Sequence, residues 1–318
     1  MAVPYTAVTL KDRQEWLEHR KRGIGGSDAA AAIGLSRYRS PLDVWMDKTG
    51  RAEPKDLSDN DAVRWGTILE GPIADYFAER HPELKVRRRN ATYVSKSATF
   101  MLANIDRLLT DKDGNKGILE VKTAGHYMDK DWQDGPPLEY YTQVSHYLAV
   151  TGFSFVWVAV LIGGRDYREY LIERDDGDIT RLIELERKFW GFVEFDQMPE
   201  VTGMEDEGNA LASLYSPDNG DIMPLDGLLK KAFADYQRAL TEIKAFTKDK
   251  DLAASQIKAL LGNSRGAENE YHRITWTRSE RTTFHARRFQ KEHPDLIEGY
   301  LTTRPYDGGL RVTEKGNR

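Results

Sequence analysis

Asp106, Glu120 and Lys122 are the residues whose types and spacing most readily do chemistry. They lie in the stretch from Asn104 to Lys122, which reads Asn-Ile-Asp-Arg-Leu-Leu, then Thr-Asp-Lys-Asp-Gly-Asn-Lys, then Gly-Ile-Leu-Glu-Val-Lys. Two apolar runs of strand type flank a polar segment whose Asp113-Gly114 is a strong hairpin signal. Antiparallel pairing brings Asp106, near the end of the first run, close to Glu120 and Lys122 on the second. Strand side chains alternate, so Glu120 and Lys122 share one face while Val121 takes the other. Two carboxylates and a lysine on one sheet face suit a hard divalent cation, magnesium or manganese, which polarises a phosphate and activates a water. The same trio around a hairpin also fits a solvated face with a weak ion pair. A calcium loop at Asp111, Asp113 and Asn115 does not fit. Lys116 stands where that loop needs glycine, and Lys122 where it needs a bidentate glutamate.

These residues need a sheet to hold them and helices against it. Upstream, 10–22 reads as a helix with Trp16 and Leu17 toward the core and Arg20 near its end. Gly23-Ile24-Gly25-Gly26 breaks it, and Ser27-Asp28 opens an alanine-rich helix, Ala29 to Ile33. A serine N-cap behind glycines exposes backbone N–H groups beside a positive helix end, a place that accepts phosphate. From spacing alone, a plain capped helix with Asp28 serving the dipole is the simpler reading. Ser40-Pro41 starts another helix with proline at its first position, and 50–60 is a polar loop. From Asp61 a helix carries Trp65, Ile68, Leu69, Ile73, Tyr76 and Phe77 on an expected core face, with Glu70 at its boundary and Pro72 bending it.

Strand-like runs follow at 85–95, 99–105 and 117–123. The segment 124–137, with His126, Tyr127 and Trp132, is expected to be a mobile loop. Residues 138–151 form a helix placing Tyr140, Gln143, Val144 and Tyr147 one turn apart. Ser154 to Ile162 suits a buried strand, 167–173 a second strand after a Gly163-Gly164 turn, and Ile179 to Phe195 an amphipathic helix. This order is an α/β sandwich around a central mixed sheet. Residues 199–226 are rich in Pro, Gly and acid and read as a linker. Beyond them 227–318 is an extension, helical from Leu228 to Leu261 and then mixed, with a turn at Tyr306-Asp307-Gly308-Gly309 and no catalytic motif.

The motifs resemble the PD-(D/E)XK nucleases, with Asp106 as the aspartate and Glu120-Val121-Lys122 as the E-x-K, although Ile105 stands where the family has proline. Trp65-Gly66-Thr67-Ile68-Leu69-Glu70 lies upstream, preceded by the run from Trp16 through Arg20 and Gly23-Ile24-Gly25-Gly26 to Ser27-Asp28. Tyr141-Thr142-Gln143-Val144-Ser145-His146-Tyr147 and Ala149-Val150-Thr151-Gly152 follow. In that order and spacing the chain is similar to YqaJ-type viral recombinases, relatives of the phage lambda exonuclease, over roughly residues 10–200. The resemblance implies a PD-(D/E)XK restriction-endonuclease-like core at 1–198, a central mixed β-sheet flanked by helices, with the mainly helical extension behind it. It implies a magnesium-dependent deoxyribonuclease that digests linear double-stranded DNA 5′→3′ and leaves 3′ single-stranded overhangs for phage-type recombination by strand annealing. Two alternatives stay open: a structure-selective endonuclease on the same scaffold, and a DNA-binding recombination factor whose nuclease site has decayed.

The resemblance also assigns roles. Asp106 bridges two Mg2+ ions about 4 Å apart, with Mn2+ able to substitute; Glu120 and the Val121 carbonyl complete one site and Glu70 supports the other. Lys122 orients or activates the attacking water. Arg20, Ser27 and Gln143 fall at the contacts to the 5′ phosphate, and Asp28 is expected to turn toward a basic residue. Implied partners are double-stranded DNA ends, a single-strand annealing protein and further copies of the chain in a ring, a trimer, in the cytoplasm of a bacterial host with a phage or prophage origin. No GxxxxGK[ST] occurs, so ATP-driven translocation is not expected.

Composition sets the outer bounds. The 318 residues are 40% hydrophobic and 31% charged, enough for one large domain and an appendage. With no cysteine, disulfides, thiol nucleophiles and thiolate metal sites are excluded together, including the iron–sulfur clusters of some PD-(D/E)XK relatives. No apolar run approaches bilayer length, and the N-terminus lacks a signal-peptide pattern. The net charge of -5 speaks against nucleic acid, but basic residues cluster at 19–22, 85–89 and 278–288, and a locally basic channel can hold DNA inside an acidic shell.

Overall fold

The computed structural model describes residues 3–52, 60–205, 207–280, 282–296, 309–310 and 312. Contacts divide the chain into two units, Met1–Ser216 with Pro305–Arg318, and Pro217–Arg304. The first unit runs β1 (Tyr5–Val8), α1 (Arg13–Arg20), β2 (Ile24–Gly25), α2 (Gly26–Ala32), α3 (Pro41–Lys48), α4 (Asp61–Arg80), β3 (Lys85–Arg88), β4 (Thr92–Ser95), β5 (Met101–Asn104), β6 (Arg107–Thr110) and β7 (Lys116–Ala124). A 3-10 turn (His126–Trp132), α5 (Leu138–Thr151), β8 (Phe155–Ile162), β9 (Asp166–Glu173), α6 (Asp176–Glu194) and α7 (Glu207–Leu214) follow.

Local chemistry accounts for most of these boundaries. Asp12 caps α1 by accepting from the Glu15 N–H at 2.8 Å, and Ser40 and Asp43 form a reciprocal capping box on α3. At the hairpin tip, Asp111 Oδ1 accepts from the Asp113 and Asn115 N–H groups, and Gly114 takes a φ of 85°, which a residue with a Cβ disfavours.

Two sheets result. One has the order β1-β4-β5-β2, the other β3-β6-β7-β8-β9. In the second, β7 and β8 are parallel and every other pair is antiparallel, so the sheet is mixed as expected. The α/β class with helices on both sides is likewise as expected. Ile73, Ala74 and Phe77 of α4 pack on Leu109, Leu119 and Ala159. The opposite face buries Ile118, Val156, Val158 and Val160 against Val144, Leu148 and Val150 of α5. The apolar run 104–109, expected as one strand, is divided: β5 belongs to one sheet and β6 to the other, with Ile105 and Asp106 at the crossing.

Several expectations need correction. The core face of α4 is narrower than expected: Leu69, Ile73 and Phe77 turn to the sheet, whereas Trp65 is 56% exposed and Ile68 49%, and Tyr76, also exposed, lies edge-on to Tyr167 of β9. Pro72, expected to bend the helix, lies inside it, and α4 continues to Arg80. Trp16 and Leu17 are only half-buried, and α1 buries no residue completely. The segment around Trp132 is anchored rather than a free loop, since Trp132 is fully buried and stacks on Tyr140 and Tyr170; His126 and Tyr127 are exposed. Within the stretch expected as a linker, Glu207–Leu214 is a helix whose Ala210, Leu211 and Leu214 pack on the core, and the division between units falls at Ser216. Most of the polar loop at 50–60 and the turn at Tyr306-Asp307-Gly308 lie outside the described residues.

The second unit holds α8 (Gly227–Leu261), a short hairpin of β10 (Gly266–Glu268) and β11 (Arg273–Thr275), and α9 (Ala286–Glu292). Among its described residues none is buried.

Candidate active site

The opening of the second sheet creates the site. β6 pairs with β7 only from Arg107↔Leu119 to Thr110↔Lys116, whereas β8 follows β7 as far as Ala124. The far end of β7 therefore has no neighbour on the β6 side, and Asp106, immediately before β6, sits at that gap. Its Oδ2 accepts from the Val121 N–H at 2.8 Å. Glu120 and Lys122 share the face of Ile118, toward α5, as alternation requires. From α4, Glu70 completes the wall: Glu70, Asp106, Glu120, Val121 and Lys122 all line one open pocket with Val63.

Each charged group in this pocket is held. Lys122 Nζ lies 2.7 Å from Glu120 Oε1 and donates to Gln143 Oε1 at 3.0 Å; its ammonium also sits 4.9 Å from the Tyr140 ring centroid. Burial would lower the Lys122 pKa, but the charge and hydrogen bond of Glu120 outweigh it and raise it. Gln143 Nε2 donates to Glu120 Oε1 at 2.7 Å and to the Tyr147 hydroxyl at 2.8 Å. Arg107 Nη1 donates to Glu70 Oε1 at 2.6 Å and to the Asp106 carbonyl at 2.8 Å. Burial, and then the neighbouring Glu120 charge, push the Asp106 carboxyl up to about 8.

Among the described residues no group of three or more His, Asp or Glu side chains is gathered as a ready metal cage. Glu70 is turned to Arg107, and Glu120 shares one oxygen with Lys122 and Gln143. The pair Asp106 and Glu120 nevertheless fits a hard divalent cation. Their charges oppose each other, and Glu120 Oε2 is buried with no hydrogen-bond partner. Magnesium needs only one or two carboxylates and keeps several waters.

Arg20 and Ser27 line a different pocket with Trp16, His19, Gly26 and Tyr147. Ser27 is not an N-cap. α2 begins at Gly26 with Gly25 as its cap, because Ile24 and Gly25 are tied into a parallel pair with Met101 and Leu102. Ser27 Oγ instead accepts from Arg20 Nη2 at 3.3 Å. Asp28 is fully buried and turned to basic residues, accepting from Arg20 Nη2, Arg39 Nη1 and Lys48 Nζ at 2.7 Å each. Burial would raise its pKa, but Lys48, Arg20 and Arg39 hold it well below the usual carboxylate range. Asp47 lies 3.8 Å from both Arg39 and Lys48, so three cations face two carboxylates and one positive charge is left over beside this pocket. Gln143, expected with Arg20 and Ser27, bonds Glu120 and Lys122 and meets the lining of this pocket through the Tyr147 hydroxyl.

Sequence reasoning passed over Arg107, Lys48, Arg39 and Tyr147 as site residues. Arg107 had a signal, since it directly follows Asp106. Lys48 and Arg39 had none, because their partner lies elsewhere in the sequence.

The fold and pockets define an α/β protein with a carboxylate–lysine site at a split in a mixed sheet. The family model for the YqaJ-like viral recombinase domain matches residues 15–154. The uncharacterized protein YqaJ of Bacillus subtilis (strain 168) is 32% identical over 291 residues, covering 90% of this chain and 90% of that protein. The chain belongs to the YqaJ-like viral recombinase family. Among solved structures, the alkaline exonuclease LHK-Exo of Laribacter hongkongensis is similar at 19% identity and a TM-score of 0.49, over 57% of this chain and 93% of that one. A phage related exonuclease from Haemophilus somnus 129PT is similar at 11% identity and a TM-score of 0.39, over 55% and 96% of the two chains.

Proposed function

We propose that this protein is a divalent-metal-dependent deoxyribonuclease that digests linear double-stranded DNA from 5′ ends, leaving 3′ single-stranded overhangs for recombination by strand annealing. The observation that carries the reading is the convergence of Glu70, Asp106, Glu120 and Lys122 on one open pocket. Membership of a viral recombinase family supports DNA as the substrate.

Asp106, Glu120 and the Val121 carbonyl would hold one magnesium ion, and Asp106 with Glu70 a second, manganese serving equally. Such cations supply positive charge to a scissile phosphate and acidify water. Lys122, kept charged by Glu120 and held by Gln143, donates toward the attacking water and offsets charge building on the phosphate in the transition state. Arg20 and Ser27 hold the 5′-terminal phosphate. Each cut then exposes a new 5′ phosphate that draws the duplex forward. The reading includes a trimeric ring, an annealing protein loading on the product strand, and action in a bacterial cytoplasm without ATP. Among the described residues no helix is long and apolar enough to cross a membrane.

The test is digestion of linear duplex DNA with and without magnesium, by the wild type and by Lys122→Ala. Loss of the lysine is expected to slow turnover by about a hundredfold or more, while duplex binding in chelator persists. Wild-type turnover by the variant, or digestion indifferent to chelation, would overturn the reading. Cutting of covalently closed circles would move it to a structure-selective endonuclease, and binding without digestion to a non-catalytic recombination factor.

A further inference from the structure

The α5 residue that lines the pocket of Arg20 and Ser27 is Tyr147, and its role follows from where the protons in this network must be. Lys122 has only donors and Glu120 only acceptors, so the Gln143 amide has one permissible orientation: its oxygen toward Lys122 at 3.0 Å and its nitrogen toward Glu120 at 2.7 Å. That same nitrogen is 2.8 Å from the Tyr147 hydroxyl, so the phenol oxygen must accept there. Gln143 is thereby committed on both sides and buried. The Tyr147 O–H, protonated at neutral pH as phenols are, keeps its own hydrogen to donate, and no acceptor for it stands among the described residues. Tyr147 lines the pocket of Arg20 and Ser27, and its ring lies so close to the start of α2 that a Cβ on Gly26 would fall 2.3 Å from Cε1. An anion drawn to the Arg20 side of this pocket meets the wall that Tyr147 forms, a residue whose hydroxyl hydrogen is uncommitted.

Resting on the phosphate pocket proposed above, we infer that Tyr147 donates a hydrogen bond to the terminal phosphate of the DNA substrate, with Gln143 behind it as the positioning residue. Tyr147 and Gln143 then form a hydrogen-bonded bridge from the phosphate pocket to Glu120 and Lys122. An end carrying phosphate is thereby read at the same network that holds the catalytic lysine.

The experiment compares binding of a 5′-phosphoryl and a 5′-hydroxyl hairpin duplex to the full-length protein in chelator, for the wild type and Tyr147→Phe. Loss of one hydrogen bond to a charged group is expected to reduce the wild-type preference for phosphate by about tenfold or more, through weaker binding of the phosphoryl end. A variant that keeps the whole preference overturns the inference, as does a loss shared equally by both ends, which marks a structural role. A wild type indifferent to the phosphate overturns the pocket itself and Tyr147 with it. As a measurement that does not depend on the variant folding, 19F NMR of the 3-fluorotyrosine-labelled protein titrated with inorganic phosphate should move the Tyr147 resonance. A resonance that stays still counts against the contact.

Discussion

His146 illustrates how much a single buried residue contributes to this fold. Its Nδ1 faces Glu186 at 2.8 Å and its Nε2 faces the Leu102 carbonyl at 2.9 Å, both acceptors, so the ring is held as an imidazolium with no exposure. Burial opposes the charge, but Glu186 outweighs it and raises the His146 pKa. A raised folded-state value stabilises fully below the ordinary histidine pKa of about 6.5, and that stabilisation is lost as pH rises through the folded-state value. His146→Gln should therefore cost about 3–5 kcal/mol at pH 6, as expected for breaking a buried ion pair. The deficit should narrow at alkaline pH. Urea denaturation of both proteins at pH 6 and pH 9 measures it, and a deficit that does not change with pH would show that the ring is neutral.

At the scale of elements, α4 and α5 do different work. α5 has its apolar side in the core and its Gln143–Tyr147 edge between the two pockets, so it is fixed along its whole length. α4 is anchored by Leu69, Ile73, Ala74 and Phe77, while its N-terminal turns carry Glu70 to the pocket and leave Trp65 and Ile68 in solvent. Phe77→Ala should accordingly destabilise the fold by about 3–5 kcal/mol. Trp65→Ala should change stability by no more than about 0.5 kcal/mol, despite removing the larger side chain. Thermal denaturation distinguishes them; comparable losses would place Trp65 in the core after all. The helical spacing of Trp65, Ile68, Leu69, Ile73 and Phe77 disclosed a helix and its apolar side, but not where the sheet beneath it ends.

At the scale of the whole molecule, the described residues that are buried all lie in the first unit. Residues 217–296, as far as they are described, bury nothing, and α8 is a 35-residue helix with Leu240, Ile243 and Phe246 exposed. Helix propensity alone holds a long helix weakly, since most helical stability comes from packing. Amide hydrogen exchange is expected to be fast along α8 and slow in α5 and β8, where opening requires loss of the core. Equal protection in α8 would mean that something covers it in solution.

What was legible in the linear chain is what local rules govern. The hairpin of Asp106 with Glu120 and Lys122 could be read because its strands are joined by a short turn and side chains alternate with a period of two. The same locality made α3, α5 and β8 readable. Tertiary structure alone decided the rest. Asp28 finds Lys48, Arg107 turns to Glu70, and Gln143 joins Glu120 and Lys122 to the Tyr147 hydroxyl. Periodicity reports which side of an element is apolar, whereas the identity of a long-range partner depends on how separate elements cross, and no spacing along the chain encodes that distance.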